Sequence, residues 1–261
     1  MTPRRSRGLD AAEAAAVREQ FGVADEQVLR DHAISHVLGA LSAAGLHDDL
    51  VFFGGTALSR TFLPTLRLSE DIDLIASAPR GVIGPAIEAA VSTGLQRSHG
   101  TVSWLPPLAA TRGPASSVLV VTDTISIRVQ LLSATGYPRW PVELRPLEQR
   151  FSDAPPASMV TPTAAAFAGW KAAAWHDRSA ARDLYDLWGL AAAGLIDREA
   201  ARLFCEHGPT AGHVQPWMFD HAPSEAEWLT ALGHQGRVQV GPVDARDTVR
   251  AAWTAAVDAD G

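Results

Sequence analysis

The sequence contains one cysteine, Cys205, in 261 residues, so no internal disulfide can form and a reducing compartment is the expectation. Lying in an apolar helical stretch without a paired histidine, that thiol reads as core filling. No apolar run approaches the roughly 20 residues that cross a bilayer, so a membrane protein is not expected. The opening stretch MTPRRSRGLD has basic residues but no apolar segment behind them, which makes the cytoplasm the expected location. An excess of positive charge is missing too. Lysine is scarce and the formal net charge is −7, so the surface as a whole does not advertise nucleic-acid binding. Arg4, Arg5 and Arg7 form a small basic patch that suits either RNA contact or a solvated chain end. Both the P-loop ending Gly-Lys-Ser/Thr and the Gly-x-Gly-x-x-Gly fingerprint are absent.

What is present is the composition of a globular chain, 47% hydrophobic and 20% charged, long enough for one large domain or two small ones. Helical spacing over 9–21 and 25–46, ending at Gly45, predicts an N-terminal helical segment, 1–48. LVFFGG reads as a buried strand closed by a glycine turn, and TALSRTFL as a helix with Thr56 at its N-cap. DIDLIAS predicts the next strand and 84–93 a helix. SSVLVVTDTISIRVQLLS predicts two antiparallel strands around Thr122 to Thr124. The core, 49–152, is therefore expected to be α/β (α+β) with a small mixed sheet. From Thr163 the pattern is helical again, broken near Asp177 and Ser179, with DREAARLFCEH as a further helix. A C-terminal helical domain over 153–261 follows, with linkers expected at 136–141 and 153–158.

The chemistry concentrates in FFGGTALSRTFLPTLRLSEDIDLIAS, residues 52–77. On a strand, Asp71 and Asp73 leave the same face while Ile72 and Leu74 enter the other. Two adjacent carboxylates repel unless a cation lies between them, and hard oxygen ligands suit Mg²⁺ or Mn²⁺. Such an ion would bridge the phosphates of a nucleotide. Gly54 and Gly55 allow a sharp turn and a close backbone approach to a phosphate, with the following helix aiming its N–H groups at the anion. Either motif alone is commonly a plain turn or a solvated strand end, and it is their combination that points to a site.

The arrangement resembles the nucleotidyltransferase fold of the DNA polymerase β superfamily, in which a glycine turn precedes an Asp-x-Asp strand. More narrowly, GGTALSRTF and RLSEDIDL followed by KAAAWHDRSAARDLYDLWGL resemble the AbiEii/AbiGii nucleotidyltransferase toxins, which include the MenT-type toxins. The resemblance runs from about residue 50 to 195. It implies an enzyme that moves a nucleoside monophosphate from an NTP to an acceptor, with the 3′ end of tRNA as the acceptor and a separately encoded antitoxin as partner. It implies catalytic roles for Asp71, Asp73, Lys171 and Asp186, with Asp71 and Asp73 holding the metal. Phosphate or nucleotide contacts would come from Gly54, Gly55, Thr56, Arg60, Ser69 and Asp183, with Arg67 and Ser59 secondary.

Each of these has a plainer reading. Lys171 suits snorkelling from an apolar helix, and Asp183 and Asp186, three apart on one helical face, suit surface ion pairs with Arg178 or Arg182. Arg60 suits a solvated arginine. His32 and His36 have zinc-pair spacing, but without a third ligand in view they read as helix-surface histidines. Trp170 and Trp175 flank Lys171 and suit either core packing or stacking on a base. Many members of the superfamily carry a third carboxylate on a later strand, whereas ISIRVQLL offers Arg128 and Gln130. Asp123, Glu143 or Asp186 would have to substitute. That departure keeps two alternatives open, a nucleotide-binding protein without catalysis and a phosphotransferase that moves the γ-phosphate.

Overall fold

The computed structural model describes residues 8–259, so Arg4, Arg5 and Arg7 lie outside the described residues. Among these are nine α-helices and a seven-stranded mixed sheet, divided into two compact units. The first runs to Tyr137 and resumes over Leu144–Thr161; the second comprises Pro138–Glu143 and the residues from Pro162 onward. The N-terminal helices thus belong to the first unit rather than forming a segment of their own. The long stretch of the second unit begins at Pro162.

In the first unit, α1 (Ala11–Phe21) and α2 (Asp25–Ala43) precede β1 (Leu50–Phe53), α3 (Gly54–Arg60), β2 (Asp71–Ala76) and α4 (Arg80–Leu95). Then come β3 (Ser103–Leu105), β4 (Ser116–Val120), β5 (Ser126–Ser133), β6 (Val142–Pro146) and β7 (Ser158–Pro162). The strand order is β3-β4-β5-β2-β1-β7-β6. Strand β2 runs antiparallel to β1 and parallel to β5. Alternation decides its faces: Ile72 and Leu74 on β2, with Ile127, Val129 and Leu131 on β5, are fully buried. Helices α2 and α4 pack together, and both contact β5. Helix α2 is buried on nearly every side, including Asp31, His32, Ser35 and His36, so the surface placement expected for its histidines is corrected.

The expected cap at Thr56 is also corrected. Helix α3 begins at Gly54, with Phe53 as its N-cap residue. The Thr56 hydroxyl instead donates to the Asp71 carbonyl, tying the helix to the start of β2.

The second unit packs α5 (Ala164–Arg178), α6 (Ala181–Ala192), α7 (Arg198–His207), α8 (Glu225–Leu232) and α9 (Pro242–Asp258). Thr163 caps α5 by accepting from the Ala166 N–H, and Ser179 breaks the chain between α5 and α6 in the left-handed region, φ 47°. The core is aromatic. Trp228, Trp253, Phe204 and Tyr185 are all buried, and the Trp175 and Trp228 indoles donate to the Met218 and Val240 carbonyls at 2.8 Å. Trp170 stacks on Trp140 at 5.9 Å. These contacts assign Trp170 and Trp175 to packing.

Candidate active site

The site begins with strand register. Phe53 pairs with Asp73, so the next residue, Gly54, falls beneath the Asp73 side chain. Gly54 has φ +79°, and a Cβ there would collide with the Asp73 carboxylate. Both facts require glycine. Gly55 is constrained by a different neighbour, since a Cβ would lie 2.7 Å from the Arg67 guanidinium and 3.3 Å from the Ser69 hydroxyl oxygen. Both of those side chains are buried, and Arg67 also donates to the Leu68 carbonyl at 3.1 Å. The structure therefore brings Gly54 to Asp73 and Gly55 to Ser69, and places Asp71 beside Asp73 on one face of β2.

On the neighbouring strand, Arg128 is opposite Asp71 and Gln130 opposite Asp73. Arg128 grips the Asp71 carboxylate with two donors, at 2.6 and 3.2 Å. The pair is open to solvent, with side-chain exposures of 57% and 25%. Hydrogen bonding to Asp71, and then its charge, raises the already high pKa of Arg128. A cation thus stands where a third carboxylate would be expected, and Gln130 turns to the Pro114 carbonyl at 2.6 Å. Beyond it lies a cavity of about 470 Å³ lined by Arg80, Arg112, Leu132 and Tyr137. Gln130, the register partner of Asp73, thus reaches a residue of the cavity lining, and burial, followed by the charge of Asp73, raises the Tyr137 pKa.

Two expected phosphate ligands are placed elsewhere. Arg60 is 1% exposed. Its terminal nitrogens donate to Asp31, the Ser35 hydroxyl and the Glu148 carbonyl, the shortest at 2.6 Å to Asp31 Oδ1. Burial, only partly offset by Asp31, lowers its pKa to about 10. Arg150 adds a second cation 3.4 Å from the same oxygen. This placement makes Arg60 a core ion-pair residue and does not support phosphate contact. Thr56, 2% exposed with its hydroxyl on Asp71, is likewise structural.

In the helical unit, Lys171, the sole lysine of the sequence, is buried between two acids. Its Nζ lies 2.7 Å from Asp186 and 3.1 Å from Asp183. Arg178 holds Asp183 through two further bonds, at 2.7 and 3.0 Å. Burial alone would raise the Asp183 carboxyl, but Lys171 and Arg178 outweigh it and hold its pKa at about 2. The i,i+3 spacing works here by placing both acids toward α5, so the surface-pair reading is corrected as well.

The model of the family described as "Nucleotidyl transferase AbiEii toxin, Type IV TA system" matches residues 36–258. The chain belongs to the AbiEii family of nucleotidyltransferase toxins. Among solved structures it is similar to MenT4, a nucleotidyltransferase toxin from Mycobacterium tuberculosis H37Rv. The TM-score is 0.64 at 22% identity, covering 94% of this chain and 89% of that one. A protein from H. pylori described as a nucleotidyltransferase matches with TM-score 0.56 at 11% identity, covering 91% and 97%. These likenesses show the fold. No curated protein matches the chain. Among the described residues no helix is long and apolar enough to cross a membrane.

For an AbiEii chain the geometry explains why the glycine turn and Asp-x-Asp belong together: one carboxylate fits only because the turn beneath it has no side chain. The donor set also fits a hard divalent cation, though Asp71 shares its oxygens with Arg128. The residues not singled out from sequence were Tyr137, Arg80 and Arg112. The Arg128–Asp71 pair was within reach, because both positions stood on the polar faces of anticipated strands.

Proposed function

We propose that this AbiEii protein is a metal-dependent nucleotidyltransferase that moves a nucleoside monophosphate from an NTP to the 3′ end of an RNA, with tRNA as the acceptor class. The supporting observation is the Asp71–Asp73 pair, side by side above Gly54 on a solvent-open strand face. Asp71 and Asp73 would hold Mg²⁺ or Mn²⁺, which when bound neutralises charge on the triphosphate and favours attack at its α-phosphorus. The acceptor hydroxyl forms the new P–O bond, its proton passes to a carboxylate, and pyrophosphate leaves. Gly54 and Gly55 make room for the Asp73 carboxylate and for Arg67 and Ser69, which sets the turn and Ser69 beside the strand face where a phosphate would approach. The adjoining cavity, with Arg112 in its lining, gives room for the nucleotide. Lys171, with Asp183 and Asp186 orienting its ammonium group, is a further candidate catalytic group within the helical unit. A cognate antitoxin is the partner, and cytoplasm the location, that go with such a toxin.

Labelling decides the reaction. Purified protein incubated with total RNA and each NTP carrying α-³²P should label the tRNA fraction. Transfer only from γ-³²P would instead establish a phosphotransferase. Tight NTP binding without pyrophosphate release would establish a binder, the reading that the Arg128 grip on Asp71 favours.

A further inference from the structure

Away from the aspartate pair, the first unit contains a second cluster of ligating groups. His32 and His36 lie one turn apart on α2, His99 follows α4, and Asp153 precedes β7. The ligand nitrogens of the three histidines lie within 4.8 Å of one another. His32 Nε2 is 3.3 Å from His36 Nε2 and 3.1 Å from both oxygens of Asp153. His36 Nε2 is 3.4 Å from Asp153 Oδ2. A tetrahedral zinc ion bound at about 2.0–2.1 Å sets its ligand atoms about 3.3 Å apart. The separations among His32 Nε2, His36 Nε2 and Asp153 Oδ2 match one face of such a tetrahedron. The ring centroids make a near-equilateral triangle, 4.6, 5.0 and 5.1 Å on its sides.

We infer that His32, His36, His99 and Asp153 form a structural Zn²⁺ site. Hydrogen bonding alone accounts poorly for the cluster. If both Nε2 atoms carried protons toward Asp153, two N–H groups would face each other at 3.3 Å; if only one did, the other nitrogen would turn its lone pair toward the same carboxylate. A divalent cation satisfies all the lone pairs at once. The Ser98 hydroxyl meets His99 Nδ1 at 2.8 Å, which leaves Nε2 as the ligand and fixes the ring, as outer-shell partners of metal histidines do.

Three imidazole nitrogens suit zinc, and Asp153, within 3.4 Å of two of them, is placed to supply the fourth ligand, a closed set that marks a structural rather than a catalytic ion. The ion would clip α2 to the end of α4 and to the segment before β7. Phe151, edge-on to His32 at 5.0 Å, closes one side of the cluster. The inference is independent of the nucleotidyl-transfer reading.

The test uses full-length protein without a histidine tag. We expect one zinc per chain by elemental analysis, a lowered Tm after chelation that stoichiometric Zn²⁺ restores, and intense four-coordinate visible bands with Co²⁺. His99→Gln and Asp153→Asn should weaken zinc binding more than about a hundredfold, while Asp73→Asn leaves zinc content unchanged. Zinc far below stoichiometric, with a Tm indifferent to Zn²⁺ and chelator, would overturn the inference. So would binding that persists undiminished in the His99 and Asp153 variants. If those variants fail to fold, the metal content and cobalt spectrum of the wild type decide.

Discussion

Two aspartate pairs, Asp71 with Asp73 on β2 and Asp183 with Asp186 on α6, both meet basic side chains, yet they sit in opposite environments. Strand spacing of two and helical spacing of three each gather both acids on one face. The strand pair faces solvent, and Asp71's partner Arg128 is more than half exposed. The helical pair is buried around Lys171, and Asp183 is held by Arg178 as well. An exposed ion pair is cheap to open, whereas a buried acid that loses its cation is left uncompensated. The comparison separates carboxylates that a ligand can recruit from carboxylates that also carry stability.

Substitutions should divide along that line. Asp73→Ala removes a metal ligand and should cut transfer of α-³²P label by about a thousandfold or more, given the several kcal/mol that a metal supplies to charge stabilisation; its denaturation midpoint should stay close to wild type. Asp183→Ala should do the reverse in stability, costing about 3 kcal/mol in a urea titration because Lys171 and Arg178 lose a shared partner. Asp183 has a further signature in pH. Its carboxyl titrates near 2 when folded against 3.8 as the reference. Its contribution, about 2 kcal/mol, is therefore complete above the unfolded value and lost as pH falls from about 4 towards 2. Urea titrations across that range should show the loss, and Asp183→Asn should flatten it. The smallest effect belongs to Arg128→Ala, which should change stability by less than about 1 kcal/mol while tightening Mn²⁺ binding, since Asp71 no longer shares its oxygens.

Much of this was legible in the sequence because its signals are local. Alternation identified β2 and β5, helical spacing identified α2 and the α5–α6 pair, and glycines beside an Asp-x-Asp strand pointed to the site. What escaped depends on partners distant along the chain. The roles of Arg60 and Thr56 turn on Asp31, Glu148 and the Asp71 carbonyl, which no local pattern contains. Strand β7, which meets the expected 153–158 linker only at Ser158, has no counterpart in the sequence pattern because SMVTP is short and its place in the sheet comes from parallel pairing with β1. Asp153, 121 residues from His32, fell in the same supposed linker. Helices α8 and α9 do carry local start signals, a Ser224–Glu227 capping box and Pro242 in the first turn, while the burial of Trp228 and Trp253 that anchors them is tertiary.

Manganese binding followed by electron paramagnetic resonance, with a non-hydrolysable NTP analogue present, tests the aspartate pair most directly. We expect one Mn²⁺ per chain in the wild type, lost in Asp73→Asn and retained in Asp183→Asn. Equal binding by wild type and Asp73→Asn would contradict a cation held on the β2 face.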